Sequence, residues 1–416
     1  MRRIKTISAV ILLVSLILVF FYSSLHLESA YGHQAGLEDV LRQHSLEVHD
    51  SDVKIQPPTQ EASTTPQPKL NATISNNLRK AIPQNGAYWN RLLYSALRSV
   101  ENAENHIRGN SSWSGCRETS QELLQTNIQD FTTYPVLFQT FLQGMKCKSP
   151  PVLIDQPSCN NTFLLLAIKS TPEHFEQRQA VRETWGREGM YPGGLRVRLV
   201  FLLGSSPPED PDFTPLVALE AKHYGDMLQW DFRESLFNLT LKMNVLLQWA
   251  PKSCHHASFI FSGDDDVFVN TPALLRYLQS LGASKASRLY VGHVISSASP
   301  HRDPKNKYFI PLSFYDGPYP AYAGGGGFVF SGDLLQPLHS VLRLVPFFPI
   351  DDVYIAMCFK ALGVSPEAHA GFKTFDVQEQ DRENLCVHKD HLLIHRRSPQ
   401  QMKKLWKGIH SPFLTC

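Results

Sequence analysis

Three consecutive carboxylates, Asp264, Asp265 and Asp266, follow the apolar run Phe259-Ile260-Phe261 and precede Val267-Phe268-Val269. Carboxylates crowded between apolar segments repel one another and lose solvation, so they need an opposing charge. A divalent cation supplies it, and hard oxygen ligands suit Mg²⁺ or Mn²⁺. Such a cation can bridge two phosphates and stabilise a nucleoside-diphosphate leaving group. A solvated acidic turn is the plain alternative. A second acidic pair, Asp351 and Asp352, follows Phe347-Phe348-Pro349-Ile350 and leads into a helical stretch that reaches Leu362. Apolar surroundings raise a carboxylate's pKa toward a value useful to a general base. The alternative for this pair is helix N-capping. Arg178 and Arg182 stand four residues apart and share a helix face. With Lys169 they surround the first expected strand-to-helix turn. Guanidinium groups suit phosphates or uracil edges; otherwise they form a solvated basic face. Gly324 to Gly327 is a run of four glycines. It lets backbone approach a ligand without a Cβ clash, or makes a hairpin turn.

The elements that must hold these groups alternate. Phe163 to Ile168 is a short continuous apolar run, as in a strand covered on both faces. A helix is expected from Glu173 to Trp185, with Ser170-Thr171-Pro172 as its start signal. Strands are expected over 196–203 and 258–261, and a helix over 236–249. Strands alternating with helices predict an α/β fold with a mostly parallel sheet, whose ligands bind beyond the carboxyl ends of the strands. Upstream, Leu92, Leu93, Ala96, Leu97 and Val100 recur at helical spacing within 88–107.

Composition excludes several classes. Forty Lys and Arg against 38 Asp and Glu leave a net charge of +2, which argues against a nucleic-acid binder. With 43% hydrophobic and 19% charged residues the chain is globular in composition. Arg2, Arg3 and Lys5 precede an apolar run from Ile7 to Tyr22. The run reads as a signal anchor, with the positive flank cytosolic and the remainder luminal; a cleaved signal peptide is the alternative. From Leu25 to Pro83 the chain is polar and turn-rich, and reads as a stem. The expected organisation is therefore a tail over 1–6, an anchor over 7–25, a stem over 26–84, a helical subregion over 85–150 and a catalytic domain over 151–416. Acceptor sites for N-glycans stand at Asn71, Asn110, Asn160 and Asn238. Seven cysteines in an oxidising lumen can pair. The expected pairs are Cys116 with Cys147, Cys159 with Cys254, and Cys358 with Cys386, leaving Cys416 over.

Several separated motifs carry a resemblance: residues 178–185, 201–204, 238–242, 264–267, 319–328 and 351–353. Over 163–416 the chain resembles the inverting β-1,3-glycosyltransferase family of the Golgi. Residues 153–157, 300–303 and 349–354 are similar to the branch of N-acetylglucosaminyltransferases that extends poly-N-acetyllactosamine. The resemblance implies a GT-A, Rossmann-like fold, a UDP-GlcNAc donor and Mn²⁺ or Mg²⁺. It also implies a Golgi membrane address with the catalytic domain luminal, and a glycan acceptor on glycoproteins or glycolipids. A homo-oligomer or a partner glycosyltransferase is compatible with it.

The resemblance assigns roles residue by residue. Asp266 and His395 become metal ligands. Asp264 and Asp265 meet the ribose and donor sugar, with Lys169, Arg178 and Arg182 also on the donor. Tyr319, Tyr322, Gly325, Gly326 and Asp351 line the sugar pocket. Forming a β-linkage from an α-linked donor needs one in-line displacement, with a carboxylate taking the acceptor proton. Asp352 is that base. The family usually carries Glu then Asp at this pair, whereas this chain carries Asp twice, which leaves the first position less defined. His293 stands where relatives often carry Asp, and no role is assigned to it. Rival readings are a galactosyltransferase or a different acceptor on the same fold, a luminal sugar-binding protein without turnover, and a glycoside hydrolase.

Overall fold

Residues 74–103, 118–155 and 157–416 are described by the structure, a computed structural model. The expected tail, anchor and most of the stem lie outside these residues, as do Asn71, Asn110 and Cys116. Among the described residues no helix is long and apolar enough to cross a membrane.

The strands in chain order are β1 (Val152–Asp155), β2 (Leu164–Lys169), β3 (Gly189–Tyr191), β4 (Leu195–Ser205), β5 (Met227–Arg233), β6 (Phe259–Asp264), β7 (Val267–Val269), β8 (Tyr290–Gly292), β9 (Val294–Ile295), β10 (Tyr322–Ala323), β11 (Gly327–Ser331), β12 (Glu367–Ala368), β13 (Phe372–Lys373) and β14 (Leu393–His395). A nine-stranded sheet runs in the order β1-β5-β4-β2-β6-β11-β8-β12, with β3 attached to β4. Strands β5, β4, β2 and β6 are parallel, while β1 and β11 run against them. The fold is mixed α/β.

Every residue of β2 is buried, because helices cover both faces of the sheet. Leu165 and Ala167 join one core, and Leu164, Leu166 and Ile168 join the other. That alternation follows from the two-residue side-chain period of a strand. The chain leaves β2 toward β4 and β5 on one side, then returns to β6 on the other. The carboxyl ends of β2 and β6 therefore flank a topological switch point, where open α/β sheets bind ligands. The expected helix over 173–185 is Phe175–Glu183, and that over 236–249 is Leu239–Ser253.

Helices Tyr88–Ala103, Gln121–Asn127 and Val136–Gly144 pack into the first core. Trp89 is fully buried and donates its indole N–H to the carbonyls of Phe347 (3.0 Å) and Pro346 (3.2 Å). Its ring meets Phe348 edge-on at 5.7 Å. This clamp holds the segment that leads into Asp351. Folded structure starts earlier than the expected stem boundary at 84. Helix Asn76–Ala81 is capped by Ser75, and Leu78 and Ile82 are fully buried.

Disulfide Cys159–Cys254 ties the approach to β2 to the end of helix Leu239–Ser253, as expected. Cys147 is also disulfide-bonded. The expected Cys358–Cys386 pair is not formed. Cys386 pairs with Cys416, the residue thought to be left over, and Cys358 is a free thiol. Cys358 lies inside helix Asp351–Ala361 on its core side, where burial pushes the thiol up to about 12. Of the described acceptor asparagines, Asn160 is exposed. Asn238 is half-buried and donates its amide to the Arg233 carbonyl at 2.7 Å.

Truncating Leu78 to Ala should cost about 2–5 kcal/mol, the usual range for a buried Leu. Denaturant unfolding of the full chain measures it. A silent substitution would return this segment to the stem.

Candidate active site

Strand register sets the centre of the site. Lys169, the last residue of β2, pairs in register with Asp264, the last residue of β6. Its ammonium is 7% exposed and lies 3.0 Å from Asp264 Oδ1 and 2.7 Å from Asp351 Oδ2. Burial alone would lower its pKa. Asp264, Asp351 and Asp352 outweigh burial and hold it well above the usual lysine value. Burial would likewise raise Asp264, but Lys169 overrides it and lowers that carboxyl. Lys169 was expected on the donor; it stands between the acidic triplet and the second acidic pair.

Asp351 and Asp352 open helix Asp351–Ala361, where the positive end of the helix favours negative charge. Ile350, not Asp351, occupies the cap position. Asp352 is pushed well above the usual carboxylate range, first by burial and then by repulsion from Asp351. Lys169 and the Gly325 N–H act against this rise.

Asp264, Asp266 and His395 each offer a ligand atom, and these lie within 4.8 Å of one another. His395 ends β14 opposite Val267 on β7, which brings it beside Asp266. The fit to a cation can be tested on hydrogen bonding. The Asp266 Oδ1 atom is buried and accepts no hydrogen bond. His395 Nδ1 lies 2.9 Å from the Thr374 carbonyl and donates to it, which turns Nε2 toward Asp266 Oδ1 at 3.3 Å. A carboxylate and an imidazole nitrogen at this distance share either a proton or a metal ion, and the third ligand atom on Asp264 makes the set fit a divalent cation. The backbone carbonyl fixing the other ring nitrogen is the usual support for a metal-ligating histidine. Asp264, expected on the donor, joins this cluster as well as pairing with Lys169.

The glycine run connects the cluster to Asp352. A Cβ on Gly325 would sit 3.2 Å from Asp352 Oδ2, and one on Gly326, at φ +92°, would sit 3.1 Å from the His395 ring. The run is not a hairpin, since β10 pairs with β9 and β11 with β6 and β8. Thr374 donates its hydroxyl to the Gly325 carbonyl at 2.8 Å. Tyr322 is half-buried and close enough to Asp352 to be influenced by its charge. Tyr319 is buried against Tyr315 and Phe348, with a hydroxyl that has no partner.

The two arginines differ from expectation. Arg178 is fully buried and bonds Glu220, the Ser170 hydroxyl and the carbonyls of Thr171 and Pro172. Arg182 binds Asp226 at 2.7 Å and Glu220 at 2.6 Å, with Tyr224 stacked on its guanidinium. Arg178 holds the loop after β2 and Arg182 ties its own helix to Glu220 and Asp226, so both guanidiniums, expected on the donor, are engaged by internal partners. Asp265 also turns toward that loop. Its Oδ2 accepts from Ser170 at 2.6 Å and lies 2.9 Å from His174 Nδ1. Ser170, expected to start the helix, serves Asp265 instead. Lys242, within the matched 238–242 motif, is buried and bonds the Ser170 carbonyl and Glu234. Sequence reasoning missed Glu220, Asp226, His174, Lys242 and Thr374. The first two had a signal, because two arginines on an otherwise buried face need acidic partners.

At the switch point of the α/β sheet, a three-residue cluster that fits a metal ion lies near the high-pKa carboxylate that opens helix Asp351–Ala361, an arrangement suited to enzymatic group transfer. Residues 176–370 match the family described as Galactosyltransferase. N-acetyllactosaminide beta-1,3-N-acetylglucosaminyltransferase 2 of Mus musculus is 45% identical over 344 residues, covering 79% of this chain and 86% of that protein. Its Homo sapiens counterpart is 43% identical over 342 residues, with the same coverage of 79% and 86%. The human acetylgalactosaminyl-O-glycosyl-glycoprotein beta-1,3-N-acetylglucosaminyltransferase is 43% identical over 300 residues, 69% of this chain and 77% of that one. The chain belongs to the galactosyltransferase family and is a glycosyltransferase.

Replacing Lys169 by Met should strand Asp264, Asp351 and Asp352 without their counter-charge. The expected loss is about 3–5 kcal/mol, the range for breaking a buried ion pair. Denaturant unfolding measures it, and a loss below about 1 kcal/mol would remove Lys169 from the centre of the site.

Proposed function

We propose that this chain transfers N-acetylglucosamine from UDP-GlcNAc to the 3-hydroxyl of a terminal β-galactose, with inversion. The reading places it on a GT-A fold in the Golgi membrane, with its catalytic domain luminal. The observation that carries it is the glycine run, which brings the cation-fitting cluster and the high-pKa Asp352 against one backbone loop. The names of the relatives, β-1,3-N-acetylglucosaminyltransferases, favour this donor and linkage.

In this reading Asp266, His395 and Asp264 hold Mn²⁺ or Mg²⁺. Bound there, the ion would neutralise the charge that develops on the UDP leaving group. Asp265, braced by Ser170 and His174, supports the turn that faces the nucleotide. Asp352 accepts the proton of the acceptor hydroxyl as it attacks the anomeric carbon from the face opposite UDP. Lys169 pairs with Asp351 and keeps Asp264 ionised, so that Asp352 is the carboxyl free to cycle. Tyr322 and the Gly325 backbone border the acceptor hydroxyl. Transfer of galactose is the second reading, favoured by the family's own description.

The full chain in detergent, given N-acetyllactosamine, Mn²⁺ and either UDP-GlcNAc or UDP-galactose, separates the two. A β-1,3-linked N-acetylglucosamine product that a chelator abolishes is expected. A galactose product would overturn the donor assignment. Asp352→Asn should lose about 10²–10⁴ in single-turnover rate while circular dichroism stays unchanged. Near-full turnover would sink the base assignment.

A pH profile checks the same group. A base must be ionised, so kcat/KM should fall as pH drops through the raised pKa of Asp352. The acidic limb should therefore lie above the ordinary carboxylate range. Asp351→Asn removes a like charge and should shift that limb to lower pH. An unmoved limb would mean that Asp352 does not titrate in it.

A further inference from the structure

Phe375 lies one residue from the loop that supports both halves of the site, yet 73% of its surface is exposed. Its backbone is clamped on both sides. Thr374 accepts from His395 Nδ1 at 2.9 Å and donates to the Gly325 carbonyl at 2.8 Å. Asp376 follows at φ +73°, a left-handed conformation uncommon for a residue other than glycine. Its carboxylate holds that turn by accepting from Arg397 at 2.7 Å, Arg382 at 3.0 Å and the Val377 N–H at 2.7 Å. The Phe375 ring meets the His293 ring edge-on, with centroids 5.2 Å apart at 86°. His293 Nδ1 in turn lies 3.2 Å from the Phe372 carbonyl. A braced loop thus displays a phenyl ring to water next to Thr374, the residue that ties His395 to the glycine run.

Phenylalanine has no polar handle, so it reads shape and apolar surface only. A pyranose offers just that on the face where its C–H bonds point. We propose that Phe375, edged by His293, is a stacking platform for a pyranose ring of the acceptor chain. The proposal rests on the reading of Asp352 as base to a sugar acceptor. It favours acceptor over donor on exposure. The groups assigned to the donor, Asp264, Asp265 and Lys169, are buried or half-buried at the strand ends, whereas an acceptor attached to a larger glycan must run outward over the rim.

The test uses the full chain in detergent with N-acetyllactosamine and UDP-GlcNAc, each titrated at saturating levels of the other. Phe375→Ala should raise the acceptor KM about tenfold, with the donor KM within about twofold. Phe375→Tyr, which keeps the ring, should keep the acceptor KM within about twofold. Because the ring is exposed, the thermal midpoint of the Ala variant should not fall. An unchanged acceptor KM, or a rise in the donor KM instead, overturns the platform. Failure of the unsubstituted chain to transfer any sugar would sink the transferase reading, and the platform with it. The two failures are therefore distinguishable.

Discussion

The ammonium of Lys169 is the charge on which the rest of the site depends. Parallel pairing of β2 with β6 brings Lys169 beside Asp264, and the start of helix Asp351–Ala361 brings Asp351 to its other side. Without it, the acidic triplet and the second acidic pair would face each other with no counter-charge in a half-buried space. An ion pair of this kind contributes little net stability once desolvation is counted. What it supplies is geometry: two carboxylate groups from distant parts of the chain are held at one point. It also sorts them. Asp264 is driven down and Asp352 is left high, which separates the carboxylates into one that stays charged and one able to exchange a proton.

Around that centre sits a ring of supports that never reach the cluster themselves. Glu220 binds Arg178 and Arg182 together, and Arg178 reaches the loop after β2 through Ser170, Thr171 and Pro172. Lys242 grips the same loop through the Ser170 carbonyl from helix Leu239–Ser253, with its ammonium held by Glu234. Trp89 clamps the segment before Asp351 from the N-terminal helices. The helical subregion is therefore part of what positions the second acidic pair, rather than an appendage.

The triplet, the acidic pair and the glycine run were legible as chemistry because their local context is unusual. Charges next to buried strands, and four glycines in a row, demand an explanation from the sequence alone. Strands β2, β4 and β6 were legible because continuous apolar runs have few other uses. Arg178 and Arg182 misled because a face of helix looks the same whether it meets a ligand or an internal acid. Their partners lie some 40 residues away, at Glu220 and Asp226, and such pairing is a property of the fold. Cys358 misled for a related reason. Counting cysteines ignores direction, and a helix can turn one into the core beyond reach of any partner. Leu78 and Ile82 were hidden by a polar, proline-rich neighbourhood that masked two anchoring side chains. Asp264 was given one role and holds two, since adjacency to both Lys169 and His395 appears only once β2, β6 and β14 are assembled.

The account stands or falls on whether one centre serves both cation and base. The direct measurement is a crystal structure of the chain with Mn²⁺, UDP and N-acetyllactosamine, with anomalous data collected at the manganese edge. The account predicts a single peak within ligand distance of Asp266 and His395 Nε2, with the diphosphate on it, and the galactose 3-hydroxyl against Asp352. A manganese peak on Asp351 and Asp352, or an acceptor hydroxyl turned away from Asp352, would contradict it.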